Sequence, residues 1–337
     1  MVRTALILGG TGQVGRAVAA RLLADGWRVR VASRGHRSSV AELVGSGVEP
    51  VWIDREEPGE LVKALGGGVD ALIDVVAFEE KHADQLAEVQ GDVGAFVVIS
   101  TASVYRDEEG RSLDEGPTLG YPDFPVPITE NQPTVEPGPQ TYSTKKVSVE
   151  RRLLERVERP LTILRPAAIH GPYSTHPREW WFVKRILDGR VRIPLAAGGV
   201  SQFHPSAAVN LAALAAAVLD AERPPAILNA ADPTAPSVMD IGEIIADYLG
   251  WEGELVPLEG DHGVVGLTPW SVPHPLILDT TAAQSLGYRP AADYAGAVAA
   301  SCDWLAGHDP SRWEQAFPVL AGYGFPLFDY DAEDALW

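Results

Sequence analysis

The stretch "TALILGGTGQVGRAVAARLLADGWRVRVAS", residues 4–33, constrains the fold more than any other part of the chain. A short apolar run enters a glycine cluster, a segment of helical period follows, and a second apolar run begins at Trp27. This order makes a βαβ unit, and a helical crossover of that length joins parallel strands. Further apolar runs follow at "VEPVWID", "VDALIDVVAF", "GAFVVIST", "PLTILRP" and "AILNAAD", most of them separated by helix-like segments. Strands alternating with helices predict an α/β fold of Rossmann type, with a doubly wound parallel sheet.

At 337 residues the chain exceeds the usual single-domain size. The expected division is a dinucleotide-binding domain over 1–171 and about 203–230. A smaller, discontinuous C-terminal substrate lobe takes about 172–202 and 231–337, tail included. The C-terminal segment from Asp303, aromatic and acidic, is expected to pack onto that lobe, because isolated aromatic residues in a tail would expose apolar surface.

Charge and cysteine content narrow the function. A formal net charge of −19 argues against nucleic acid or anionic lipid as a partner. Cys302 is the only cysteine, which rules out an intrachain disulfide, fits a reducing cytoplasm and suggests a buried structural thiol. No secretory signal pattern and no run of about 18 apolar residues is present, so the expectation is a soluble cytoplasmic protein. No spacing of His, Cys, Asp and Glu suggests a metal site.

Gly9, Gly12 and Gly15 satisfy G-x-x-G-x-x-G, and Gly10, Gly12 and Gly15 satisfy G-x-G-x-x-G. Between a strand and a helix, such glycines let backbone N–H groups and the helix dipole approach a pyrophosphate. Gly9, Thr11, Gly12, Gln13, Val14 and Gly15 are therefore the expected dinucleotide contacts. About 20 residues on, an acidic residue would read the ribose hydroxyls of NAD. That position reads "VASRGHR", so Ser33, Arg34 and Arg37 offer a hydroxyl and guanidinium groups suited to a 2′-phosphate, and NADP is favoured over NAD. Arg34 stacked on adenine would suit either cofactor. Asp54, closing "VWID", either approaches the adenine or caps its own strand end.

Tyr142 and Lys146, in "YSTKK", fall on one face of a predicted helix. A nicotinamide enzyme acting on an alcohol needs a proton acceptor, and tyrosine is too weak a base unless its anion is stabilised. Lys146 is expected to lower the tyrosine pKa and to hold the nicotinamide ribose. An exposed helical pair is the plain alternative. Between Asp107 and Thr141 lies a proline-rich, acidic loop, which reads as a flap over a site or as a linker.

Together, "GGTGQVG", "VISTASVY", "PITE", "YSTKK", "LRPAAIHGP" and "LDTTAAQSLGYRP" resemble the extended short-chain dehydrogenase/reductase family, in its NAD-dependent epimerase/dehydratase-like group. The resemblance implies Thr101 as a third catalytic residue beside Tyr142 and Lys146, with Ser103 as a neighbouring alternative. It implies cofactor contacts from Val75, Val76, Ala77, Pro166 and Ile169, and a homodimer. Dehydratases of the family carry an Asp-Glu pair after the catalytic threonine; Ala102 and Ser103 stand there, which disfavours dehydration. Substrate candidates are Ser103, His170, Tyr173, Trp180 and His204, the last of which reads equally well as a core histidine. The expected activity is interconversion of a secondary alcohol and a ketone. Two alternatives stand beside it: a nucleotide-sugar-type epimerase with retained NAD(P), and a non-catalytic redox-sensing or RNA-associated member.

Overall fold

The computed structural model describes residues 2–35 and 45–337. The chain divides into two compact units, one formed by Met1–Ala167, Ala208–Ala231 and Leu278–Ala291, the other by Ala168–Ala207, Asp232–Ile277 and Ala292–Trp337.

The first unit is built on seven parallel strands: β1 (Thr4–Leu8), β2 (Arg28–Ser33), β3 (Glu49–Trp52), β4 (Val69–Asp74), β5 (Val93–Ile99), β6 (Leu161–Pro166) and β10 (Ile227–Ala230). Their spatial order is β10-β6-β5-β4-β1-β2-β3. Leu6, Ile7, Leu72 and Val97 are fully buried, as expected of strands covered on both faces. The order reverses between β1 and β4, and in doubly wound sheets ligands bind beyond the carboxyl ends of the strands at such a reversal. The glycine cluster follows β1, and Val75–Ala77 follow β4.

The helix Tyr142–Arg156 has a fixed start. Thr141 Oγ1 accepts from Thr144 N at 3.2 Å while Thr144 Oγ1 accepts from Thr141 N at 2.9 Å, a reciprocal cap that satisfies free donors at both ends of the turn. Tyr142 is thereby the first helical residue and Lys146 lies one turn further on. The loop before it is packed: Phe124, Ile128 and Val135 are buried, Ile128 bridges to Leu278, and Gln132 Nε2 donates to Arg106 O at 2.7 Å.

The second unit holds two small parallel sheets, β7 (Ala168–His170) with β9 (Pro205–Ala207) and β8 (Arg192–Leu195) with β11 (Glu254–Pro257). The helix Trp180–Leu187 presents Trp180, Trp181, Phe182 and Val183 in succession to one core, which also takes Cys302, Phe317 and Leu320. Burial pushes the Cys302 thiol up to about 12. Arg185 donates to Glu333 Oε1 at 2.5 Å, tying the C-terminal segment to that helix. Among the described residues no helix is long and apolar enough to cross a membrane.

Candidate functional site

Adding a Cβ to each glycine of the cluster separates packing from another purpose. At Gly15 it would lie 2.5 Å from Gly10 Cα and Gly9 O, at Gly10 2.5 Å from Val31 Cγ1, and at Gly9, whose φ is +76°, 2.5 Å from Val76 Cγ1. These three permit close approach of the helix and the strand ends. Gly12 differs: its φ of −83° suits any residue, and a Cβ would meet only Gly9 O, at 3.5 Å. It is exposed and caps the helix Gln13–Ala24 without a side chain. A bare backbone ahead of a helix N-terminus and its dipole is a cradle for a pyrophosphate, and a side chain there would fill it.

Ser33 is half-buried at the end of β2 and Arg34 is exposed, whereas Arg37 lies outside the described residues. Asp54 is exposed, and its Oδ1 accepts from Glu56 N at 3.0 Å in its own turn, the capping role. The neighbouring Arg55 does what the sequence did not suggest. Its Nη1 donates to buried Asp74 Oδ2 at 2.7 Å, and Asp74 Oδ1 accepts from Val76 N at 2.9 Å. This pair shapes the Val75–Ala77 segment, where Ala77 is fully buried.

Thr101, Ser103 and Ser143 form a chain of hydroxyls. Thr101 Oγ1 accepts from Ser103 N at 3.2 Å and lies 3.0 Å from Ser103 Oγ, and Ser143 Oγ donates to Ser103 Oγ at 3.0 Å. Thr101 also lies beside the Tyr142 phenol, whose pKa it lowers. With Ser143 donating to Ser103 and Ser103 to Thr101, the Thr101 hydroxyl keeps its own proton free to donate. Ser143 was absent from the sequence expectations because Ser103 is 40 residues away; its backbone N also donates to Asp114 Oδ2 at 2.7 Å.

Lys146 is buried, and its Nζ donates to Ala77 O at 2.9 Å and Ile99 O at 2.8 Å, clasping the ends of β4 and β5. Burial lowers its pKa to about 8, against the opposing charges of Asp74 and Glu150. Its Nζ is 5.9 Å from the Tyr142 ring centroid. One expectation is corrected here: the Tyr142 pKa is raised, by burial of the phenol first, with the Thr101 bond lowering it and Asp114 raising it. Lys146 spends two of its donors on carbonyls and does not bring the phenol down. Since the Tyr142 side chain is 47% exposed, solvent offsets part of the rise.

Within the second unit the four substrate candidates differ sharply. Tyr173 is exposed, with a φ of +65°. Trp180 is fully buried edge-on against Phe317, with ring centroids 5.2 Å apart, and so cannot meet a substrate. His170 is buried with Nε2 2.7 Å from Asp232 Oδ2, and His204 is buried with Nε2 2.9 Å from Asp232 O. Burial lowers the His204 pKa. Both imidazoles hold the chain around Asp232 in place, which corrects their reading as ligand contacts. Pro166 is buried at the end of β6, and Ile169 O accepts from Arg178 Nη1 at 3.4 Å.

A family model described as "NAD dependent epimerase/dehydratase family" matches residues 5–231. No curated protein matches the sequence. Among solved structures, UDP-N-acetylglucosamine 4-epimerase from Bacillus cereus is similar at 18% identity, over 90% of this chain and 100% of that one, with a TM-score of 0.70. ADP-L-glycero-D-manno-heptose-6-epimerase from Helicobacter pylori is similar at 15% identity, over 91% and 97%, with a TM-score of 0.68. The Bordetella bronchiseptica enzyme WbmG in complex with NAD is similar at 18% identity, over 90% and 94%, with a TM-score of 0.67. At such identities the likeness shows a shared fold.

Proposed function

Because the chain belongs to the NAD dependent epimerase/dehydratase family, within the extended short-chain dehydrogenase/reductases, we propose that it is an NADP(H)-dependent oxidoreductase interconverting a secondary alcohol and a ketone. The observation that carries this reading is the hydroxyl chain of Thr101, Ser103 and Ser143 beside Tyr142, which stands one helical turn from a buried Lys146.

Gly9, Thr11, Gly12, Gln13, Val14 and Gly15 would hold the pyrophosphate, and Val75, Val76, Ala77 and Pro166 would line the nicotinamide end. Ser33 and Arg34, where an acidic residue would otherwise stand, favour the 2′-phosphate of NADP over NAD. When bound, the dinucleotide accepts or returns a hydride at its nicotinamide. Tyr142 takes the proton of the substrate hydroxyl as the carbon is oxidised, and gives it back to the carbonyl oxygen in reverse. Thr101, oriented by Ser103 and Ser143, donates to the reacting oxygen as charge develops there. Lys146, bonded to the Ala77 and Ile99 carbonyls, holds the segments after β4 and β5 in register with the helix that carries Tyr142. The second unit carries the substrate lobe, with Tyr173 as its exposed candidate contact. We assign the protein to a reducing, cytoplasmic setting as a homodimer.

A second reading is favoured by the neighbours: those quoted include two sugar-nucleotide epimerases, and an epimerase uses the same oxidation and its reversal on the opposite face. Chromatography of nucleotide released by denaturing freshly purified protein separates the two. The oxidoreductase reading expects a substoichiometric yield and preferential binding of added NADPH over NADH. A stoichiometric oxidised dinucleotide would assign the epimerase instead.

A further inference from the structure

The acidic loop between Asp107 and Thr141 meets the helix Tyr142–Arg156 through a carboxylate. Asp114 Oδ2 accepts from Ser143 N at 2.7 Å. Ser143 is the second residue of that helix, so its N–H has no acceptor within the helix, and a negative charge is favoured at this end of the dipole. Thr141 takes the Thr144 N–H and leaves the one at Ser143 to Asp114. The approach is built by the loop itself. Buried Asp107 accepts from Arg111 N at 2.8 Å, from Arg111 Nε at 2.7 Å and from Asp123 N at 3.1 Å, which closes the chain on both sides of Asp114.

The charged groups around Tyr142 differ in what engages them. On its own helix, Lys146 gives Nζ donors to Ala77 O and Ile99 O, and Lys145 acts on Glu79. On the helix packed against it, Glu80–Glu88, Glu80 and Asp84 are engaged by Arg152. The turn Ala102–Val104 carries no charge, and in the loop Glu115 accepts from Ser112 Oγ at 3.5 Å. Asp114 is exposed and anchored on the residue after Tyr142, and its negative charge acts on the phenol. A negative neighbour disfavours the phenolate. The phenol therefore keeps its proton to higher pH, in the form that gives it to a ketone.

We infer that Asp114 is a positioning residue for the proposed reaction: it docks the loop on the first turn of the helix and keeps Tyr142 supplied with the proton that ketone reduction needs. Its effect is to extend ketone reduction to higher pH and to delay alcohol oxidation by the same interval. The inference rests on Tyr142 as the proton donor; the contact and its charge do not depend on that role.

Neither measurement that tests this needs a substrate. Titration of tyrosinate absorbance, with the Tyr142→Phe signal subtracted, isolates the Tyr142 midpoint. Asp114→Asn keeps an acceptor for Ser143 N but removes the charge, so its midpoint should fall by roughly half a unit or more, and the difference should shrink as salt screens the exposed carboxylate. Asp114→Glu should stay close to wild type. Hydrogen exchange at neutral pH reads the docking: the Ser143 amide should exchange roughly tenfold faster in Asp114→Ala and near the wild-type rate in Asp114→Asn. A wild-type midpoint in Asp114→Asn, or a Ser143 amide indifferent to Asp114→Ala, would overturn the inference. Wild-type turnover in Tyr142→Phe would remove the reading it rests on, and the midpoint shift in Asp114→Asn tells that failure apart from failure of the contact.

Discussion

Replacing Tyr142 by Phe is expected to lower turnover by on the order of 10²–10⁴-fold, the usual worth of a positioned proton donor and acceptor, with dinucleotide affinity and stability little changed. The ring is retained and the side chain is 47% exposed, so the lost hydroxyl leaves no buried cavity. The hydroxyl chain from Ser143 through Ser103 to Thr101 keeps its own bonds in that variant. The pH dependence has a definite sign. With the phenol pKa raised by burial, alcohol oxidation, which needs the anion, gains with rising pH, whereas ketone reduction needs the protonated phenol and declines at alkaline pH. The measurement is steady-state kinetics over pH in both directions, with binding of NADPH followed separately. Wild-type turnover in a folded, dinucleotide-binding Tyr142→Phe protein would remove Tyr142 from the chemistry.

Replacing Glu150 by Ala is expected to destabilise the first unit by about 3–5 kcal/mol, because it strands a buried charge. Arg165 donates to Glu150 through Nε at 3.0 Å and Nη2 at 2.5 Å, with both side chains only 4% exposed. The guanidinium also lies 4.9 Å from the Tyr105 ring centroid, and the Tyr105 hydroxyl donates to Asn229 Oδ1 at 2.6 Å. The ion pair therefore braces the helix Tyr142–Arg156 against β6, and Tyr105 carries the contact on to β10. The substitution has a second effect one turn away: the Glu150 charge supports protonation of Lys146, so its removal should drive the Lys146 pKa below about 8. Denaturant unfolding checks the stability claim, with the midpoint falling and the slope unchanged. Glu150→Leu combined with Arg165→Met should recover most of the loss, as apolar replacements of buried pairs often do. A single substitution costing under about 1 kcal/mol would contradict this account of the pair.

What was legible in the sequence was what short-range chemistry fixes. The strand, glycine cluster and helix at residues 4–24 lie within one local pattern, and the Thr141 cap stands directly before Tyr142, so the sheet class and the Tyr142–Lys146 spacing were readable. Partners distant in the chain were not. His170 meets Asp232 across 62 residues, and nothing local to "RPAAIHGP" marks that imidazole as buried. Ser143 carries no local signal, because its partner Ser103 lies 40 residues away. Trp180 is a different kind of miss: "WWFV" is apolar all round one helical turn, the pattern of a core helix. The lysine effect on Tyr142 was inferred from spacing alone, which cannot show that Ala77 and Ile99 carbonyls claim the ammonium.

The most direct test of the central claim needs no substrate: titrate NADPH and NADH into the wild-type protein and into Gly12→Leu, following nicotinamide fluorescence. A Cβ at Gly12 meets only Gly9 O, at 3.5 Å, so that variant should fold and yet fill the space a pyrophosphate requires. The account predicts saturable wild-type binding, tighter for NADPH, and none in Gly12→Leu at the same thermal stability. Absence of dinucleotide binding in the wild type, or equal binding in the variant, would contradict it.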